Sequence, residues 1–152
     1  MSVSLDDITP NNVGMLKKLV ELSTLDFSSD WFTEAQSSED LFKFGYFGEI
    51  PVGCVKAKPL MAANASDKSA PMGLVIEFLE VLPAYRGLSI EDKLLEHIET
   101  VLRERHLHTL WVLSPLEWAS ATLEKRGYFS AGDIAELQTG YEKRLPAWEK
   151  KL

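Results

Sequence analysis

The run Leu74–Leu82, LVIEFLEVL, constrains this chain's fold more than any other segment, being apolar apart from Glu77 and Glu80. A strand without polar alternation is covered on both faces, which places it in the middle of a sheet with helices on either side. Pro83 ends the strand, a short loop follows, and from Ile90 the residues Leu94, Leu95, Ile98, Val101 and Leu102 form one apolar stripe at helical spacing. Glu99 and Arg103 stand four apart and are expected on the outside of this helix. The order of elements is mixed α/β, a central sheet faced by helices.

The flanking sequence fits that plan. Thr9-Pro10 is expected to open a first helix, with Val13, Leu16, Leu19 and Val20 at helical spacing and an end near Thr24. A short helix over Asp30–Gln36 would present Trp31 and Phe32. Leu41–Phe47 and Val52–Pro59 read as a hairpin around Gly48-Glu49-Ile50-Pro51. Met61–Met72 is expected to be a loop between two strands. Thr109–Leu113 reads as a buried strand, Trp118–Lys125 as a short helix stopped at Gly127-Tyr128, and Gln138–Leu145 as the last strand. With 152 residues, 45% of them hydrophobic, and no repeat or linker, a single domain over residues 1–152 is expected.

The balance of 16 basic against 23 acidic residues gives a net charge of −7, which argues against a nucleic-acid backbone or an anionic membrane as the main partner. No apolar run approaches the roughly 20 residues needed to span a bilayer, and MSVSLDDITP lacks the regions of a secretory signal. The lone Cys54 excludes an internal disulfide and points to a reducing, cytoplasmic setting. In Val52-Gly53-Cys54-Val55 it reads as a small buried hydrophobe rather than a nucleophile. His97, His106 and His108 lack the cysteines or paired carboxylates of a ligand set, so no metal site is expected. Glu142-Lys143-Arg144 and Glu149-Lys150-Lys151 read as solvated charges or, more sharply, as docking charges. Trp111 belongs to the core by alternation, whereas Trp31, Trp118 and Trp148 are candidate docking anchors.

The strand running into Pro83-Ala84-Tyr85-Arg86 and the long helix resembles the GCN5-related N-acetyltransferase (GNAT) family, whose cofactor motif is [QR]-x-x-G-x-[GA]; Arg86 stands at its first position. Four blocks in order, one of them this segment, resemble the catalytic subunits of NatE N-terminal acetyltransferases: ITPNNVGMLKKL at Ile8–Leu19, YFGEIPVGCV at Tyr46–Val55, LEVLPAYRGLSI at Leu79–Ile90, and YEKRL at Tyr141–Leu145. The resemblance implies a mixed, mostly antiparallel sheet of about seven strands flanked by about four helices. It also implies acetyl transfer from acetyl-CoA to the α-amine of polypeptides. The implied partners are the large helical-repeat scaffold of the NatA complex, its catalytic subunit and, indirectly, the ribosome.

Residues carried over by the resemblance divide into three groups. Cofactor contacts fall on Leu79, Val81, Arg86, Gly87, Leu88, Ser89, Ile90, Glu91 and Asp92, where backbone N–H groups at a helix start would face the pyrophosphate. Both motif glycines are replaced, by Ser89 and Glu91. On one reading Ser89 and Asp92 form a capping box, and the acidic first turn neutralises the positive helix end by about 0.3–1 kcal/mol per carboxylate, leaving acetyl-CoA binding weak or lost. On the other, Ser89 is a plain cap and Glu91 points to solvent, leaving room for cofactor.

The family's proton-moving tyrosine and histidine fall at Val75 and Leu113, and a tyrosine near the cofactor sulfur falls near Leu123; none of the three can take a proton. Glu77 shares a strand face with Val75 and is either a substitute base, its neutral form favoured by desolvation, or the partner of a backbone donor or cation. Peptide contacts fall on Leu25, Ser28, Glu77 and Tyr141, with Thr24-Leu25-Asp26-Phe27-Ser28 replacing an apolar F-P-V-x-Y segment. The expectation is a catalytically impaired, pseudoenzyme-like subunit; the alternative is an active enzyme using Glu77 or a water as base. A small-molecule acetyltransferase is a third possibility.

Overall fold

The computed structural model describes residues 3–9, 12–23, 27, 29–37, 39–61, 71–113, 117–132 and 147–152. In chain order these form strand β1 (Val3–Asp7), helices α1 (Val13–Ser23) and α2 (Ser29–Ala35), and strands β2 (Phe42–Phe47), β3 (Ile50–Leu60) and β4 (Gly73–Val81). Helix α3 (Ile90–Glu104), strand β5 (Thr109–Leu113), helix α4 (Ser120–Lys125) and strands β6 (Phe129–Gly132) and β7 (Ala147–Lys151) follow. The strands make a seven-stranded mixed sheet in the order β1-β2-β3-β4-β5-β7-β6. β4 and β5 are parallel, and α3 is the crossover that such a pair requires. The chain clusters into two compact units, Met1–Lys56 with Leu79–Ile98, and Ala57–Phe78 with Glu99–Leu152.

In the first unit β1 runs antiparallel to β2 from Val3↔Phe47 to Asp7↔Lys43, and the last pair is also an ion pair. The hairpin β2–β3 forms where expected, with a register shift between Gly45 and Tyr46. α1 buries Leu16, Leu19 and Val20. Its regular run starts at Val13, and Thr9 stands as the cap ahead of it: Thr9 O accepts Val13 N (3.1 Å), Thr9 N donates to Asn12 Oδ1 (2.7 Å) and Asn12 Nδ2 to Asp7 O (3.0 Å). Trp31 is no exposed anchor. It is 7% exposed, stacks on Phe27 at 4.0 Å, meets Phe42 edge-on at 5.5 Å and has Lys56 Nζ 5.3 Å from its ring.

In the second unit β5 pairs with β4 through Leu74↔Leu110, Val75↔Trp111 and Ile76↔Val112. On its other side β7 runs antiparallel from Thr109↔Lys151 to Leu113↔Ala147, and β6 pairs with β7. The expected last strand, Gln138–Leu145, lies outside the described residues, whereas Glu149-Lys150-Lys151, read as solvated charge, is part of β7. Trp111 Nε1 donates to Glu149 Oε1 (2.7 Å) and Lys150 Nζ to Glu99 Oε1 (2.8 Å). Glu99 is also corrected: expected outside, it is 1% exposed and receives Arg126 Nη2 at 2.7 and 3.1 Å. A carboxylate this deep persists because two cations hold it. Lys150 also lies over the Tyr128 ring at 5.4 Å, and burial, with Glu99 adding, pushes the Tyr128 hydroxyl far above the usual tyrosine range.

Backbones meet closely at the parallel pair. A Cβ on Gly73 would fall 2.3 Å from Thr109 O and 2.8 Å from Trp111 Cζ3. Gly73→Ala should therefore cost about 3 kcal/mol, read as a lower urea midpoint; an unchanged midpoint would contradict this contact.

Candidate functional site

The cofactor-binding expectation falls on the segment from the end of β4 to the start of α3, all within the first unit. Leu82 N donates to Val52 O (2.7 Å), a single 3-10 turn covers Pro83–Tyr85, and the Tyr85 ring packs on Phe47 at 5.8 Å. Arg86 is extended and turns back onto β4. Its Nε donates to Val81 O (3.0 Å) and its Nη2 to Glu80 Oε1 (2.8 Å), the same oxygen that accepts Val81 N (3.0 Å). Both backbone groups of Val81 are thereby engaged by side chains of the chain itself. Glu80 was not singled out from the sequence. The signal was present: a carboxylate in a covered strand requires a cation, and Arg86 is the next one along the chain.

Gly87 and Ser89 both have positive φ, +83° and +70°, and Leu88 between them is 44% exposed. Ser89 O accepts Lys93 N (3.1 Å), the first bond of α3. An N-cap side chain works from extended backbone, whereas Ser89, at φ +70°, is in the left-handed region. Glu91 closes the loop. It is 4% exposed rather than solvent-facing, its Oε1 accepts Gly87 N (3.1 Å), and its Oε2 is buried with no hydrogen-bond donor among the described residues. Of the other expected cofactor positions, Leu79 and Ile90 are buried and Asp92 is partly exposed.

The expected catalytic positions lie in the second unit. Val75 on β4 pairs with Trp111, and Leu113 ends β5 opposite Ala147; their exposures are 1% and 0%. Leu123, on α4, is likewise buried. Glu77 is 5% exposed and is ion-paired with Lys58 Nζ at 2.9 Å. Of the two readings of Glu77, the structure contains the cation pair; Lys58 had not been identified from the sequence. Leu25, Ser28 and Tyr141 lie outside the described residues. A groove of about 400 Å³ lined by Val13, Lys17, Ser29, Phe32, Thr33 and Gln36 lies between α1 and α2.

Among the described residues no cluster of His, Cys, Asp or Glu could hold a metal ion, and no helix is long and apolar enough to cross a membrane. His97 Nε2 meets Asp40 O at 2.7 Å, and His108 Nδ1 meets Leu152 O at 3.2 Å. Cys54 is fully buried; burial, then the charge of Glu80, push its thiol well above the usual range while Lys56 opposes them. It is no thiolate nucleophile.

Two predictions follow from this geometry. Ser89→Gly removes a side chain from left-handed backbone and should stabilise the fold by about 1 kcal/mol, visible as a higher melting temperature; a fall would contradict the positive φ. For Cys54 the folded thiol holds its proton to higher pH than the unfolded one. Above about pH 8.5 the unfolded state releases that proton first, so stability should fall ever more steeply, by about 1 kcal/mol in all between about pH 8 and 9.5. Urea titrations over that range should show this fall in the wild type and lose it in Cys54→Ala.

Comparison with known proteins agrees with the arrangement of strand, loop and helix. A family model described as acetyltransferase (GNAT) family matches residues 16–128. An uncharacterized N-acetyltransferase of Schizosaccharomyces pombe is 31% identical over 131 residues, 83% of this chain and 87% of that protein. N-alpha-acetyltransferase 50 of Danio rerio is 29% identical over 150 residues, 94% of this chain and 82% of the relative. In fold, the chain superposes on Arabidopsis thaliana Naa50, solved with the bisubstrate analogue CoA-Ac-MVNAL, with a TM-score of 0.77 at 22% identity and full coverage of both chains. A chain of the NatC complex bound to Gag peptide and CoA gives a TM-score of 0.73 at 18% identity, over 100% of this chain and 99% of that one. With the family model covering most of its length and the fold in agreement, this chain belongs to the acetyltransferase (GNAT) family.

Proposed function

We propose that this chain is an N-alpha-acetyltransferase-type subunit whose own acetyl transfer is impaired and which acts mainly through its place in a larger N-terminal acetylation assembly. Family membership and the similarity to N-alpha-acetyltransferase 50 support the class. The fold neighbour solved with a CoA-peptide analogue supports acetyl-CoA and a peptide α-amine as the co-substrates of that class. One observation carries the impairment: Val75 and Leu113, where the resemblance puts the proton-moving tyrosine and histidine, are buried aliphatic side chains. A substrate ammonium must lose a proton before its nitrogen becomes a nucleophile, and neither side chain can accept one. The proposed partners are the helical-repeat scaffold of NatA and its catalytic subunit, and through them the ribosome, in the cytoplasm. A net charge of −7 suits protein partners better than direct contact with nucleic acid.

A second reading, an active transferase with Glu77 as base, rests on the burial of that carboxylate on the strand face it shares with Val75, although its ion pair with Lys58 works against proton uptake. Turnover decides between the two. Losing a positioned base removes about 10²–10⁴-fold in rate, so purified full-length chain with acetyl-CoA and Met-starting peptides should turn over below about 0.1 per second. Turnover near 10 per second that is lost in Glu77→Gln would overturn the impaired reading and establish the second.

A further inference from the structure

The loop that should receive a diphosphate already contains an anion. We infer that Glu91 is an internal stand-in for a phosphate group: its carboxylate occupies the anion seat of the Arg86–Glu91 loop and blocks a diphosphate ligand there. The inference rests on the acetyl-CoA reading of this loop proposed above.

Gly87 N donates to Glu91 Oε1 at 3.1 Å, so a loop N–H of the kind that would face an anion is already paired with one. The second oxygen, Oε2, is buried without a donor among the described residues, in a side chain 4% exposed. The carboxylate is thus held inside the loop although only half of it is satisfied. The backbone keeps an anion-cradling shape: Gly87 at φ +83° has nothing within 4 Å of where a Cβ would be, and Ser89 remains at φ +70° without being glycine. Successive N–H groups flanking left-handed residues form such a concavity. Next to it, Glu80 and Arg86 close off Val81 N and Val81 O. In this arrangement the residues present do not fit a CoA diphosphate, since a second anion would lie against Glu91 and lack the Gly87 donor. The obstruction is a side chain in the seat, not the loss of the seat.

Calorimetric titration of coenzyme A into the full-length wild type, Glu91→Gln and Glu91→Ala, with inorganic pyrophosphate and pantetheine as separate probes, tests this. Emptying the seat should tighten coenzyme A binding at least about 10-fold in Glu91→Ala. Glu91→Gln, which loses the charge but keeps an oxygen for Gly87 N, should fall between it and the wild type. The gain should appear with pyrophosphate and be absent with pantetheine, which has the arm but no phosphate. In the wild type the Gly87 amide should be protected from hydrogen exchange, and Glu91→Ala should lose that protection until ligand is added. Should Glu91→Ala fail to fold by circular dichroism, Glu91→Gln decides. Equal affinities across the series, or a gain shared by pantetheine, would overturn the inference. Peptide acetylation is read separately: a fast wild type that Glu91→Ala still tightens refutes the impaired-subunit proposal alone, and a slow wild type with equal affinities refutes this inference alone.

Discussion

A covered strand cannot hold a bare charge, and β4 holds two carboxylates along a length that is buried throughout. An isolated ionised group away from water is far too costly to persist, so each of them must be met by a cation or by backbone donors. Glu77 is met by Lys58, whereas Glu80 is met by Arg86 and by Val81 N. The second solution reaches beyond β4, because Arg86 belongs to the loop that leads into α3. Its guanidinium is directed inward onto the strand instead of outward to a ligand.

The same rule of satisfying buried charge from within recurs away from β4. Glu99 is bound by Arg126 and Lys150, and Lys56, 1% exposed, is bound by Glu34 at 3.1 Å. Truncating one partner of such a group leaves an uncompensated charge, which costs more than the pair itself contributes. These pairs tie separate elements together. Lys150, for example, connects β7 to the first residue of the second unit's part of α3. In the loop the principle is only half met, since Glu91 has one oxygen satisfied and one orphaned. Buried polar groups left unpaired mark places where a fold serves something other than its own stability.

Elements with a strong apolar pattern were legible in the sequence. β4, the stripe of α3, the β2–β3 hairpin and β5 all lie where periodicity placed them, because a covered face imposes its period on the residues that form it. β1, β6 and β7 were not legible. VSLDD and AWEKK carry charges with no clean alternation; the first is a strand because β2 offers it a ladder at the sheet edge, the second because β5 and β6 pair with it on either side. The positions of Val75, Leu113 and Glu77 were readable by resemblance, but their partners were not. Lys58 and Lys150 reach their counterparts through contacts that no local spacing encodes, whereas Glu80 and Arg86 are near neighbours in the chain.

The sequence alone determined that the chain builds a helix-faced sheet with a covered central strand, an amphipathic helix after it and a loop that, set beside the motif it resembles, has Ser89 and Glu91 in place of glycines. It did so because apolar periodicity and residue identity are local properties, readable without knowing what lies opposite. Only the tertiary structure decided what Glu91 does. Whether a carboxylate in a helix's first turn faces water, caps its own helix or reaches back to Gly87 depends on left-handed backbone at Gly87 and Ser89 and on burial of the side chain. Those conditions arise from packing, so the sequence could supply the charge while the fold determined where it sits.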